Sequence, residues 1–592
     1  MIFKILSSIL AALFALGSVN TILTPDTLDS ALSAVFGVPV FSTSVNEKFI
    51  EEIDNGDVAP ISSEAGYMKN FIFIFSDENA GAFDMRKMFV AEPVTLLGWG
   101  MPADLYVALC PYSSLEKTKL YCENLIEKYD CVAFASPVYA FHRAPDYTPN
   151  DPFSPIIGVT DWDENNPRGA NWWVEAIDAR QAWDYSSYFQ KIKTGVIDCG
   201  YALEHEDLNG RLSFPNERQK KRNIEDRHGT HVAGIIGAEH NNVLGIAGVV
   251  PDADMVCVDW QPDKDAKQDW NTSVHIFFGV IDLVRAGAKV INLSLGSAGN
   301  IEEGSEGDKF ELWADSVIHS ALISALLGNG YDFLICQSAG NGNKKSQPID
   351  AKFNGTFTGI CEENVFSIRL FVKKQDILDR IIIVSAARND GYGRYSQAGF
   401  SNVGKQVSIA APGVSVYSSI SGTDEYDYLS GTSMAAPVVT GVATLVWSVN
   451  PEMTGAQVKK IVTSPKNSDA VATALAEEKR AFKELDYLDY NMVNADLSVQ
   501  AALLETYNMG RVKGSIENCD ELTITQSGKK TAYTVIPGGS FSFVAPVGNA
   551  TLTACDESGE QIFSTDIKIE KNKTNNIGNI KIPAPPEETE TP

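Results

Sequence analysis

Positive charge is scarce in this chain. Of its 592 residues, 48 are Lys or Arg against 76 Asp or Glu, a formal net charge of −28. That balance argues against nucleic acid and anionic membrane surfaces as partners, since both would repel it. Histidine is rarer still, with seven in all. The nine cysteines are an odd number, and nothing in their spacing matches a zinc site. Cys199, Cys257 and Cys336 lie in apolar runs and are expected to be buried thiols, whereas Cys519 and Cys555 could pair. Long apolar runs are few. Residues 5–16 form one, broken by Ser7 and Ser8, after a single Lys4. With Ala15-Leu16-Gly17 behind it, this reads as a secretory signal peptide over residues 1–17, with an uncleaved membrane anchor as the alternative. No cysteine follows the run, which excludes lipid anchoring there, and no second run is long enough to span a bilayer. A secreted, extracellular protein without stable membrane insertion is expected. What remains is ordinary for a globular chain, 44% hydrophobic and 21% charged, long enough for about two to four domains.

The most informative stretch is Ser430-Gly431-Thr432-Ser433-Met434-Ala435-Ala436-Pro437. It sets a serine between a glycine turn and an apolar run, 434–446, that reads as a buried helix. At a helix N-terminus, backbone N–H groups and the positive end of the dipole face the hydroxyl, which suits a developing oxyanion. Pro437 is expected in the first helical turn, where its missing N–H costs little. Two further words precede it. Lys193-Thr194-Gly195-Val196-Ile197-Asp198-Cys199-Gly200 is a short apolar strand ending in an aspartate. His228-Gly229-Thr230-His231-Val232-Ala233-Gly234 sets a histidine at the start of another helix. Taken singly, each has a plain structural reading: a turn aspartate, a structural histidine (as His231 is expected to be), a helix cap.

Their order, Asp then His then Ser, and their wording resemble the subtilisin-like serine peptidases. The resemblance continues through Ile291-Asn292-Leu293-Ser294-Leu295-Gly296, Ser338-Ala339-Gly340-Asn341 and Ala410-Ala411-Pro412-Gly413, and covers residues 150–505. It implies that Ser433 is the nucleophile, that His228 takes and returns its proton, and that Asp198 holds the other ring nitrogen. It also implies that Asn341 donates to the oxyanion together with the Ser433 N–H. Ser294, Leu295 and Gly296 would pair with an extended substrate, and Ser338, Ala339 and Gly340 would wall the pocket for the residue on the acyl side of the scissile bond. Residues 342–380, which should supply that pocket's floor, are enlarged and match nothing alignable. Cys199 replaces the usual Thr or Ser after the aspartate, and a buried inert thiol is the favoured reading over a reactive one. Asp207 matches a position that supplies a calcium ligand in many relatives, but the loop 239–248 differs in length. No metal site is assigned, no cofactor is required, and structural calcium stays possible without being assignable.

Strand-like runs at 194–198, 255–259, 290–295, 333–337, 381–386 and 407–410 alternate with helical ones at 228–238, 275–286 and 434–449. That alternation implies a three-layer αβα domain on a parallel sheet, over residues 148–508, with its site at the carboxyl ends of the strands. Asp198, Ser294 and Asn341 all fall there. Before it, residues 18–147 read as an α+β segment resembling the family's inhibitory propeptide, with strands at 103–110 and 131–141 around a helix at 115–129. An unrelated permanent domain is the alternative. The Pro-rich 143–152 is the expected processing zone. Residues 464–489 read as an acidic helical insertion. Residues 511–582 resemble a small transthyretin-like β-sandwich, and 583–592 read as a disordered acidic tail. The resemblance implies a secreted endopeptidase made as a zymogen, with protein or peptide substrates and its own propeptide as inhibitor. A narrow-specificity processing protease and a catalytically silent binding protein on the same fold are the alternatives.

Overall fold

The computed structural model describes residues 58–60, 65–76, 82–93, 95–100, 105–141, 171–223, 225–260, 273–296, 316, 319–342, 347–360, 372–390, 394–471, 491–516, 519, 521–535, 539–555 and 561–580. The expected signal peptide, processing zone and acidic tail lie outside them, as does Cys361. The chain divides into two compact units, Met1–Ala144 and Pro145–Pro592.

The first unit is built on an antiparallel sheet. Strand Ala65–Ser76 pairs with Val58–Pro60, Leu105–Leu109 and Val132–Phe141, and Thr95–Gly100 adds to Leu105–Leu109. Ile72, Ile74 and Ala108 of the sheet close a small core with Met85 and Met88 of helix Ala82–Ala91 and Leu125 of helix Leu115–Lys128. The strand at Ala65–Ser76 and the helix at Ala82–Ala91 were not legible. Phe71-Ile72-Phe73-Ile74-Phe75 is apolar at every position, so no period separates strand from helix.

The second unit holds the αβα domain. Its central sheet runs, edge to edge, Ser468–Ala470, Asn491–Val493, Val407–Pro412, Ile381–Asn389, Leu334–Ser338, Val290–Leu293, Lys193–Asp198, Asp254–Asp259 and Leu212–Ser213. All neighbours are parallel except the Ser468–Ala470 edge, and Tyr395–Gln397 also pairs antiparallel with Ile381–Asn389. Strand side chains alternate between faces. On strand Lys193–Asp198, Ile197 packs at Gly279 of helix Ser273–Arg285, while Thr194 Oγ1 lies 3.0 Å from Thr444 Oγ1 of helix Thr432–Val449. Helices therefore cover both faces. This is why the strands are apolar throughout rather than alternating. Helix Thr432–Val449 passes through the core, 94% buried, and Trp447 on it is fully buried. Burying such a side chain contributes roughly 2–3 kcal/mol.

Residues 464–471 are not helical as expected. They form a 3-10 turn, Pro465–Asn467, and the edge strand Ser468–Ala470; residues 472–490 lie outside the description. Beyond helix Ala495–Thr506, a three-stranded sheet (Met509–Ile516, Ser540–Pro546, Thr574–Ile580) and a four-stranded sheet (Glu521–Gln526, Lys529–Tyr533, Gly548–Cys555, Gln561–Ile569) continue the same hydrophobic core. Asp184 accepts from Thr534 N at 2.7 Å, and the Tyr185 hydroxyl accepts from Val544 N at 3.0 Å. Cys257 and Cys336 are buried thiols; Cys519 and Cys555 are thiols as well, not a disulfide.

Candidate active site

Asp198 ends the strand Lys193–Asp198 and is 1% exposed. Its Oδ1 accepts from His228 Nδ1 at 2.5 Å and from Cys199 N at 2.6 Å. His228 is the second residue of helix Arg227–Gly237, whose N-cap Asp226 accepts from His228 N at 2.8 Å. Gly229 permits the contact. Its N–H donates to Cys199 O at 3.1 Å, and a Cβ there would lie 2.1 Å from Gly200 O. The Asp198 carboxylate holds the His228 imidazolium above the usual histidine range, against the opposing effect of burial. His231, three residues on, is fully buried. Its Nε2 faces Val416 O at 3.0 Å and Asp427 O at 3.2 Å, and burial pushes it down to about 3. Cys199 is half-buried rather than buried.

Ser433 is the second residue of helix Thr432–Val449. Pro437 is the sixth, one turn later than expected, and the N–H it lacks is the one that would bond Ser433 O. Ser294 fills that gap: its Oγ donates to Ser433 O at 2.6 Å. Behind it, Asn292 Nδ2 donates to Ser294 Oγ at 3.0 Å, and Thr440 Oγ1 donates to Asn292 Oδ1 at 3.0 Å. Ser294, expected to meet substrate, holds the backbone of Ser433. The Ser433 hydroxyl donates to Ser294 O at 3.2 Å and is not hydrogen-bonded to His228. Catalytic hydrogen bonds of this kind commonly tighten only with substrate present.

Asn341 lies three residues past strand Leu334–Ser338 and is exposed. Its Oδ1 accepts from Thr432 N and from Thr432 Oγ1, both at 2.9 Å, and Gly340 N donates to the same hydroxyl at 3.0 Å. Those bonds fix the carboxamide with Nδ2 over Gly431, where an added Cβ would sit 3.2 Å from it. Thr432 was not singled out in the sequence. Its hydroxyl ties the Gly340–Asn341 loop to helix Thr432–Val449, and only its place beside Ser433 hinted at a role.

Ser294, Leu295 and Gly296 leave strand Val290–Leu293, while Ala339 and Gly340 leave Leu334–Ser338, its parallel neighbour. Ser294 meets Ser433 through the two bonds above and Gly340 N meets the Thr432 hydroxyl, so both segments border the start of helix Thr432–Val449. Leu295 O points into the protein, accepting from Gln337 Nε2 at 3.1 Å and Ser338 Oγ at 3.3 Å. Asp207 accepts from Asn242 Nδ2 and from Ile246 N, each at 2.8 Å, so N–H donors already face its carboxylate. Among the described residues no cluster of three His, Cys, Asp or Glu side chains could hold a metal.

Residues 190–483 match the subtilase family model. The chain is 30% identical over 323 residues to a thermophilic serine proteinase of Bacillus sp. (strain AK1); the match takes in 54% of this chain and 63%, less than two thirds, of that relative. It is 30% identical over 306 residues to thermitase of Thermoactinomyces vulgaris, covering 51% of this chain and 86% of thermitase. Fervidolysin from Fervidobacterium pennivorans, a solved structure, covers 88% of this chain and 79% of its own at 18% identity. The TM-score is 0.39. On the family match and the thermitase identity, this chain belongs to the subtilase family.

Proposed function

We propose that the protein is a secreted serine endopeptidase, made as a zymogen, that hydrolyses peptide bonds through an acyl-enzyme. The observation that carries this reading is the buried Asp198 bonded at 2.5 Å to His228, in a chain whose Ser433 opens the buried helix Thr432–Val449. A serine hydroxyl needs a base at neutral pH, and a carboxylate behind an imidazole fixes its tautomer and stabilises its cation.

Ser433 Oγ attacks the substrate carbonyl carbon as its proton passes to His228 Nε2. The carbonyl π pair moves to oxygen, and the oxyanion accepts from Asn341 Nδ2 and the unpaired Ser433 N–H of the first helical turn. Collapse breaks the C–N bond, and His228 returns the proton to the leaving amine. Water then enters with the same proton route and releases the acyl group from Ser433. Asp198 keeps its charge throughout. Residues 18–147, cut within 143–152 by the enzyme itself, are the proposed propeptide.

Ser433→Ala tests the assignment. Peptidase activity and labelling by a fluorophosphonate should both vanish while the fold persists, and proteolysis by the pure folded variant would remove Ser433 from the mechanism. Labelling of the parent separates an enzyme from a silent binding protein.

A further inference from the structure

We propose, on the peptidase reading above, that Asn354 floors the cleft for the residue whose carbonyl is attacked and restricts that residue to Gly, Ala or Ser. With the carbonyl carbon at Ser433 Oγ and its oxygen at Asn341 Nδ2, the Cα substituent of that residue projects between Ser294–Gly296 and Ser338–Gly340. Asn354 comes from the enlarged stretch after Asn341, and its carboxamide stands against both walls. A Cβ added to Gly296 would lie 2.2 Å from Asn354 Nδ2 and 2.3 Å from its Oδ1. One added to Gly340 would lie 2.5 Å from the same Oδ1. The space between the two glycines is thus already occupied by a side chain.

That side chain is held in place. It is 6% exposed, and its Nδ2 donates to Ser338 O at 3.0 Å. Among the described residues nothing donates to its Oδ1, which leaves an acceptor for a serine hydroxyl. The backbone around it is fixed on both sides. Asp350 caps the turn Ala351–Asn354, accepting from Lys352 N at 3.0 Å. Beyond it Gly355 takes φ 80° and Thr356 φ 53°. A β-branched residue in that region is strained and persists only where its surroundings impose it. Here Gln337 does so, accepting from Phe357 N at 3.0 Å and donating to the Thr356 hydroxyl, while His319 packs edge-on to Phe357 with ring centroids 4.7 Å apart. Rotating the carboxamide out of this position breaks its bond to Ser338 O, and shifting its backbone breaks the bonds that hold residues 350–357. A Leu or Phe entering the cleft would overlap it, and overpacking in a fixed site is strongly unfavourable.

The test uses three tetrapeptide p-nitroanilides that differ only in the residue before the nitroanilide: Ala, Leu and Phe. The parent should prefer Ala over Phe by at least ~100-fold in kcat/KM. In Asn354→Gly, and to a lesser degree in Asn354→Ala, the Phe-to-Ala ratio should rise by at least ~10-fold, mainly through KM for Phe. A parent that cleaves the Phe substrate as well as the Ala one overturns the proposal, and needs no variant to do so. An unmoved ratio in variants that still react with fluorophosphonate overturns it too. A parent that is labelled yet prefers Phe leaves the peptidase reading standing. One that neither hydrolyses any of the three nor is labelled refutes the peptidase reading and this one with it.

Discussion

Replacing Asp496 by Asn should stabilise the protein above neutral pH and leave it nearly unchanged at pH 4. Asp496 lies in the first turn of helix Ala495–Thr506 and is 6% exposed. Among the described residues its one side-chain donor is Gln500 Nε2 at 2.7 Å, which also serves Ser542 O at 2.7 Å. Burial, and then the nearby Asp178 and Asp469, push the carboxyl from 3.8 up to about 8, against the Gln500 bond and Arg511. Asp178, with Asn494 donating to it at 2.6 Å, is itself raised to about 7, chiefly by burial. The fold therefore prefers the neutral acid. Its contribution is fully present below the unfolded value near 4 and is lost as pH rises through the folded value near 8. Each tenfold change in proton affinity is ~1.4 kcal/mol, so the loss approaches something on the order of 5 kcal/mol at pH 8 and above. An Asn keeps an acceptor for Gln500 and carries no charge. Thermal unfolding at pH 4, 7 and 9, in a Ser433→Ala background that suppresses self-digestion, is the assay. Asp496→Asn should melt higher than the parent at pH 9 by at least ~5 °C and within ~2 °C of it at pH 4. Curves that stay parallel from pH 4 to 9 would refute the reasoning.

Three further outcomes are expected. Asn341→Ala should lower kcat by ~10²–10³, the range known for a subtilisin oxyanion-hole asparagine, with KM nearly unchanged, because its Nδ2 serves a charge present only in the transition state; steady-state kinetics beside a melting curve checks this, and a kcat within ~3-fold of the parent removes Asn341 from the site. The acid limb of kcat/KM should fall at a pH above 6.5, since the Asp198 carboxylate raises His228 and the base must be neutral; in Asp198→Asn the limb should move to lower pH as activity drops. Gly229→Ala should abolish activity and destabilise the unit by several kcal/mol, on the order of 2–4, because its methyl would meet Gly200 O at 2.1 Å and Cys199 O at 2.8 Å; urea unfolding and fluorophosphonate labelling report the two effects.

The sequence alone determined the αβα architecture, because strands covered on both faces must be apolar at every position and helices between them must carry the 3.6-residue period. It also placed Asp198, Ser294 and Asn341 at the carboxyl ends of strands and Ser433 at the start of a buried helix. Short glycine-bearing words fix local geometry within a few residues, and a linear reading reaches that far. Three things belonged to the tertiary structure. The Ser433 carbonyl, left open by Pro437, is bonded by Ser294, 139 residues away. Thr432 orients Asn341 across a separation of 91. Asn354, from a stretch with no alignable pattern, stands between Gly296 and Gly340, which lie on two neighbouring strand ends. Each is a meeting of groups distant in the chain, where no local period or propensity records the partner, and only the packed sheet brings them within hydrogen-bond reach.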